Sequence, residues 1–334
     1  MRDALRNAGI LFLSTVVSLG LAELAVRSFV SVRDVGPVFT THDPVQGKRM
    51  KASFTAERIT PEFTMRFTTN SLGFRGPEPE GIPRNPILFL GDSFTLGYGV
   101  SDGEEYPALV AAQLRRRHGA AAPPVVNAGI GNAGNGFWLK LLRREAATMR
   151  PRLVVMQVFE NDFADNTNDG LFTLGPDGSL QELPVPGPGA TRTLGALVQA
   201  IPGLSYSHVV GLLREVRAPR LGPAGEPASV TARQNGTDPG AQLTLRILEE
   251  AVSLCEQRGW KVLGLLVGLP GARRDAVAQV FARRKLPVVL IPAKSERPDL
   301  YYRIDGHWHA RGHAFVADRV MEALPVPLVG APAP

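Results

Sequence analysis

The sequence predicts an α/β fold, a doubly wound five-stranded parallel sheet, behind an N-terminal membrane segment. Two observations predict the sheet. Short apolar runs at 87–90, 125–126, 153–158, 262–267 and 288–291 are rich in Val, Ile and Leu without polar alternation, the pattern of strands buried on both faces. Helical patterns lie between them, near 104–118, 136–149, 240–258, 271–284 and 310–323, and such crossovers join strands that run parallel. A third observation, the lack of charge from Asn7 to Ala22, predicts the membrane segment. With 334 residues, 44% of them hydrophobic, the chain can bury a large core, which excludes a disordered polymer. The single cysteine, Cys255, excludes a disulfide-stapled miniprotein. The net charge is +6, but only six of the 37 basic residues are lysines and the arginines are scattered, so no nucleic-acid partner is expected.

Taken in chain order, the run from Ile10 to Leu21 is apolar on every helical face and, continued to Val26, approaches the ~20 residues that cross a hydrocarbon core. Glu23 and Arg27, spaced i,i+4, can pair or snorkel near one end. Residues 1–30 are therefore expected to be a transmembrane anchor. Two other readings stay open: a cleaved signal peptide, with Arg2 and Arg6 as its basic region and Ser18, Gly20 and Ala22 as small residues for cleavage, or a buried core helix. Anchored or secreted, the remainder is expected outside the cytoplasm, periplasmic or extracellular. Residues 31–85 read as a polar, irregular extension, except that Phe63, Met65 and Phe67 alternate with Thr64, Arg66 and Thr68 as in a half-buried strand. The main domain spans 86–325. Its rhythm breaks from about 164 to 240, rich in Pro and Gly, where only 191–217 reads as helical; an insertion packed beside the sheet is expected. Residues 326–334 form a Pro-rich tail.

The first main-domain strand runs into Gly91-Asp92-Ser93-Phe94-Thr95-Leu96-Gly97-Tyr98-Gly99. Parallel α/β sheets bind ligands beyond the carboxyl ends of their strands, so Ser93 at this tip is placed for chemistry. A phosphate-binding loop would carry lysine where Tyr98 stands, which leaves a structural glycine turn as the alternative. After the second strand, Asn127-Ala128-Gly129-Ile130-Gly131-Asn132-Ala133-Gly134 contains Gly-x-Gly-x-x-Gly, the fingerprint of a dinucleotide site, with Glu160 as its ribose acid. In a chain this rich in glycine, that spacing arises by chance about 0.4 times.

The third strand ends in Phe159-Glu160-Asn161-Asp162, where Asn161 is either an Asx-turn residue or a donor to a developing oxyanion. Asp305-Gly306-His307-Trp308-His309-Ala310-Arg311-Gly312-His313 gathers three of the six histidines. As a zinc site it lacks an acidic ligand where Arg311 stands, and no second ligand cluster exists, so no metal is expected. As an acid–base pair, Asp305 and His307 project to the same side if 305–307 is extended, the carboxylate holding Nδ1 while Nε2 faces Ser93.

These four segments, in this order, resemble the four blocks of the SGNH (GDSL-type) superfamily of esterases and acyltransferases. The Gly-Asp-Ser block with its downstream glycines arises by accident below ~0.001 times per chain. The resemblance covers about 86–325. It implies the SGNH-hydrolase fold, doubly wound in the flavodoxin-like manner, with no cofactor. It further implies Ser93 as nucleophile, His307 as base and Asp305 as its orienter. The oxyanion hole would draw on the Ser93 amide, an amide of Gly131 or Asn132, and the Asn161 side chain. Three departures stand out. Asn132 sits five residues after Asn127, where the family has its oxyanion glycine; Phe159 replaces the glycine of the third block; and Asp-x-His-Trp, a form resembling the alginate-acetylation branch, replaces Asp-x-x-His. His307 is preferred over His309 because it precedes Gly312 by five residues, as the family histidine precedes its helix-opening glycine. His309 is then a helix cap or a second polar group at the cleft, and His313 is structural.

The segment Thr69 to Gly76, with the apolar N-terminus, also looks like membrane-anchored bacterial relatives, and its Arg75-bearing turn is expected to edge the cleft. The function implied is removal of an acyl group, acetyl above all, from an envelope glycan. The alternatives are a glycan O-acyltransferase with the same triad and a non-catalytic exported glycan-binding or scaffold protein. The expected partners are an acylated small-molecule or glycan substrate and the membrane; the sequence does not reveal the oligomeric state.

Overall fold

The computed structural model describes residues 1–185, 187, 198, 200–201, 203–217 and 239–325. Their elements begin with α1 (Arg2–Phe29), β1 (Thr40–Asp43), β2 (Gly47–Met50), β3 (Phe54–Ile59), β4 (Thr64–Thr69), β5 (Ile87–Leu90), α2 (Ser93–Leu96), α3 (Tyr106–His118), β6 (Val125–Asn127) and α4 (Asn135–Met149). There follow β7 (Leu153–Val158), α5 (Asp162–Asp169), β8 (Phe172–Leu174), β9 (Leu180–Glu182), α6 (His208–Arg217), α7 (Pro239–Gln257), β10 (Lys261–Val267), α8 (Gly271–Ala282), β11 (Val288–Ile291) and α9 (Ala310–Ala323). The chain divides into two compact units, one of Met1–Val38, Ala56–Thr64 and Gly189–Arg220, the other of Phe39–Thr55, Met65–Pro188 and Leu221–Pro334.

In the larger unit the apolar runs become a five-stranded parallel sheet in the order β11-β10-β7-β5-β6. Every residue of β5 and β7 is buried, as a sheet covered on both faces requires. Ile87, Phe89, Leu153, Val155, Leu263 and Leu265 share one core with Tyr106, Val110 and Leu114 of α3 and Val316 and Val320 of α9. The alternate residues Leu88, Leu90, Val154 and Met156 point to the other face and are just as buried. The chain starts at a central strand, goes out to β6 and returns past β5 to β7. The strand order therefore reverses between β5 and β7, and this switch point opens a crevice at the carboxyl ends of both.

Two expectations are corrected here. The extension 31–85 is not irregular. Thr40–Asp43 and Gly47–Met50 form an antiparallel hairpin whose turn is fastened by the Asp43 carboxylate, which accepts the amides of Val45 and Gln46. Gly47 takes φ +91°, a conformation open to glycine. β4 has the alternating burial its sequence announces, with Met65 and Phe67 fully buried. The stretch after 164 also holds regular structure the sequence reading did not foresee, the end of α5 and the hairpin of β8 and β9. Of the predicted 191–217 helix, 208–217 is helical, while 191–197, 199 and 202 lie outside the described residues, as does the 326–334 tail.

The smaller unit holds α1, none of whose 28 residues is buried, so it is not a core helix. It is long and apolar enough to cross a membrane, with a mean hydropathy of 2.0 over its most apolar stretch. Near its end Glu23 accepts hydrogen bonds from the Ser207 hydroxyl (2.6 Å) and the amides of His208 (2.8 Å) and Val209 (3.1 Å), at the first turn of α6.

Candidate active site

The turn from β5 into α2 presents Ser93. Gly91 must be glycine because a Cβ there would lie 2.0 Å from Thr95 Oγ1 and 2.3 Å from Gln157 Oε1. Asp92 is fully buried and caps the short helix, its Oδ1 accepting the Phe94 amide at 2.8 Å. Burial pushes the Asp92 carboxyl up to about 6, against the pull of that hydrogen bond and of His307. Arg75 locks the far side of the turn. Its side chain is wholly buried and donates to the carbonyls of Leu96, Gly97 and Val100, while pairing with Asp102 and Glu105. Arg75 therefore does not edge the cleft, contrary to the expectation for 69–76. The turn is built inward instead, because Asn70 Oδ1 accepts the amides of Leu72 and Phe74 and Gly73 adopts φ +75°.

Ser93 Oγ lies 2.7 Å from His307 Nε2, and His307 Nδ1 lies 2.5 Å from Asp305 Oδ1. The route to this pairing differs from the extended segment expected. Gly306 takes φ +90°, and the bend lets Asp305 Oδ1 accept the His307 backbone amide at 3.2 Å as well as meet its ring. Burial raises the Asp305 carboxyl, but the hydrogen bonds and charge of His307 outweigh it and hold the group below the usual carboxylate range. The imidazole is flanked by Phe94 and Tyr98, each with its ring centroid 5.0 Å away. Behind it Trp308 is fully buried against Phe94, Tyr106 and His313.

Gly131 follows β6 and lies against Ser93, its Cβ position 3.8 Å from Ser93 Cβ. Asn132 takes φ +52°, the left-handed region that glycine enters freely and that asparagine tolerates best among the rest. Asn161 heads α5 at the end of β7, and its Nδ2 donates to Asp165 Oδ2 at 2.8 Å. The Asn161 amide carries a second N–H beyond that bond. Phe159 stands at the third-block glycine position, its ring packed on Phe94 with centroids 4.7 Å apart.

The remaining histidines have separate surroundings. His309 heads α9 without a side-chain cap and packs edge-on to Tyr302; His313 is fully buried, accepts the Tyr106 amide, and is held well below the usual imidazole range by burial and by Arg75. Glu160 is ion-paired with Arg273 rather than left open to a ribose. Sequence reasoning missed Asp165 and Tyr98. The acids at 162, 165 and 169 recur at helical spacing, which was the available sign for Asp165; Tyr98 had none.

The arrangement is that of a serine hydroxyl in contact with an imidazole whose other nitrogen meets a carboxylate, beyond the carboxyl end of the central strand β5, which suits attack on an ester carbonyl. No curated protein sequence matches the chain. Solved structures similar to it include an acetyl xylan esterase, AlAXEase (14% identity, 72% of this chain and 100% of that one, TM-score 0.44), and TesA (19%, 72% and 97%, 0.42). A catalytic mutant of an acetylxylan esterase from Geobacillus stearothermophilus is similar at 14% identity over 74% of this chain and 97% of that one, with a TM-score of 0.41. The family described as GDSL-like Lipase/Acylhydrolase matches residues 89–315, and with about two thirds of its length inside that match, Ser93 and His307 included, the chain belongs to this family and is an SGNH-type ester hydrolase.

Proposed function

We propose that the enzyme removes a short acyl group, acetyl above all, from an envelope glycan through an acyl-serine intermediate. Ser93 attacks the ester carbonyl while His307 Nε2 takes its proton, and Asp305 fixes the ring so that Nε2 is the acceptor and offsets the imidazolium charge. The carbonyl oxygen, now negative, is received by the Ser93 amide, an amide of Gly131 or Asn132, and Asn161 Nδ2. His307 then returns the proton to the leaving alcohol, and water, deprotonated by the same imidazole, releases the acyl group. The observation that carries this reading is the continuous contact from Ser93 Oγ through His307 to Asp305.

The glycan and its location rest on the Asp-x-His-Trp form of the last block and on α1, read as a retained anchor that leaves the esterase outside the cytoplasm. Hydrolysis of p-nitrophenyl acetate by the full chain in detergent tests the chemistry. Ser93→Ala and His307→Ala should each lower kcat at least ~10²-fold, since nucleophile and base act as a unit. Activity that survives Ser93→Ala refutes the mechanism. Release of acetate from acetylated glycans, set beside release from long-chain acyl esters, tests the substrate.

A further inference from the structure

Lys48, on β2, lies outside the segment matched by the family, yet it reaches the oxyanion side of the site. Its Nζ donates to the carbonyls of both Gly131 (2.7 Å) and Asn132 (2.9 Å). In a trans peptide the C=O and N–H point in opposite directions, so fixing the Gly131 carbonyl fixes the Asn132 amide turned away from Lys48. The charge of the same ammonium favours the ionised forms of Asp165 and Asp169, against burial that raises both carboxyls. Asp165 Oδ2 in turn holds Asn161 Nδ2, and Asp169 Oδ2 holds the Gly134 amide at the end of the glycine loop. One lysine thus joins the two separate sources of oxyanion donors, the 131–132 loop and Asn161.

Resting on the esterase mechanism proposed above, we infer that Lys48 is a positioning residue for the oxyanion hole, acting on the loop through two carbonyls and on Asn161 through Asp165. Two physical effects follow. Without Asp165 the Asn161 amide could turn over and present its oxygen to the developing anion. Without Lys48, the Asp165 carboxylate would stand uncompensated beside that anion and oppose its formation. The N-terminal hairpin is then a working part of the catalytic unit.

The test uses the full chain in detergent, with p-nitrophenyl acetate as substrate and kcat counted per site that a fluorophosphonate labels at Ser93, so that unfolded protein is not scored. Lys48→Met should lower kcat about 10- to 100-fold with KM changed less than about twofold, because the loss falls on the transition state. Lys48→Arg should recover most of the rate. Adding Asp165→Asn to Lys48→Met should restore at least about threefold, since the amide can still accept from Asn161 but carries no charge. A merely structural lysine would not produce that restoration. The inference is overturned if Lys48→Met keeps kcat within about threefold of the parent, or if the second substitution only deepens the loss. Either result, with Ser93→Ala still inactive, leaves the esterase mechanism standing; an active Ser93→Ala would remove the mechanism itself.

Discussion

Gly306 shows why a shortened Asp-x-His spacing can work. Removing one residue between acid and base would separate them in a helical turn, but φ +90° folds the Asp305 carboxylate back on both the amide and the ring of His307. Asn132 is the parallel case, a non-glycine residue at a left-handed position that asparagine can occupy. Arg75 has the most demanding single-residue role outside the chemistry. Its guanidinium serves three carbonyls and two carboxylates from a fully buried position, one of them on the buried Glu105. Arg75→Ala would remove these donors at once and leave the buried Glu105 carboxylate without its cation, and should cost about 3–5 kcal/mol in urea unfolding of the full chain in detergent. Arg75→Lys should recover little, since one ammonium cannot reproduce the fork. A loss below about 1 kcal/mol for the alanine variant would contradict this role. Ser93, Asp305 and His307 were legible as candidates from residue type and local pattern, a Gly-Asp-Ser at a strand tip and an Asp-Gly-His ahead of a helix. Arg75 and Lys48 were not, because their purpose is set by partners distant in sequence, Gly131 lying 83 residues beyond Lys48.

At the scale of elements, the central sheet was readable from its apolar runs, whereas α5 was not. Its sequence, Asp162-Phe163-Ala164-Asp165-Asn166-Thr167-Asn168-Asp169, is dominated by residues that compete with helical hydrogen bonding through their own side chains. Tertiary bonds override that tendency. Asp162 accepts the Phe159 amide, Asn166 accepts the Gly136 amide and donates to Asn135 and Thr244, and Asp169 accepts the Gly134 amide. The result is a group of acids beneath the site. Burial pushes Asp92 up to about 6, with the charge of Asp165 adding to it, and pushes Asp162 well above its usual range, with the charge of Asp92 adding to it. An acid raised in the folded state favours folding while protonated. The unfolded chain loses that proton near pH ~4, so stability falls from there to about 6 and then levels. Asp305 works in the opposite sense, its contribution present above the usual carboxylate value and lost on acidification. Asp92→Asn keeps an acceptor for the Phe94 amide and removes the titration. Its urea midpoint relative to the parent should therefore rise between pH 4.5 and 6.5 and stay constant above; a difference flat across that interval would contradict the assignment.

For the whole molecule, the proposed retention of the first thirty residues rests on α1 and its tie to α6. α1 exposes Leu11, Phe12, Leu13, Val16 and Leu19 along an uncharged stretch, an apolar surface long enough to cross a bilayer. Glu23 marks where the apolar layer should end, because a carboxylate inside hydrocarbon is costly and this one accepts three hydrogen bonds at the head of α6. That arrangement gives α6 a cap from a residue 184 positions earlier than Ser207, in a compact unit shared by the two helices. A leader destined for removal has no need of such a tie, which favours retention. The chain expressed from its own start should then remain in the membrane fraction after alkaline carbonate washing, with an intact mass that includes residues 1–22. Glu23→Ala should leave it there but weaken α6 by about 0.5–2 kcal/mol, read as faster amide exchange at His208 and Val209. A soluble protein beginning at Leu21 or Glu23 would instead establish a cleaved signal peptide and a secreted esterase.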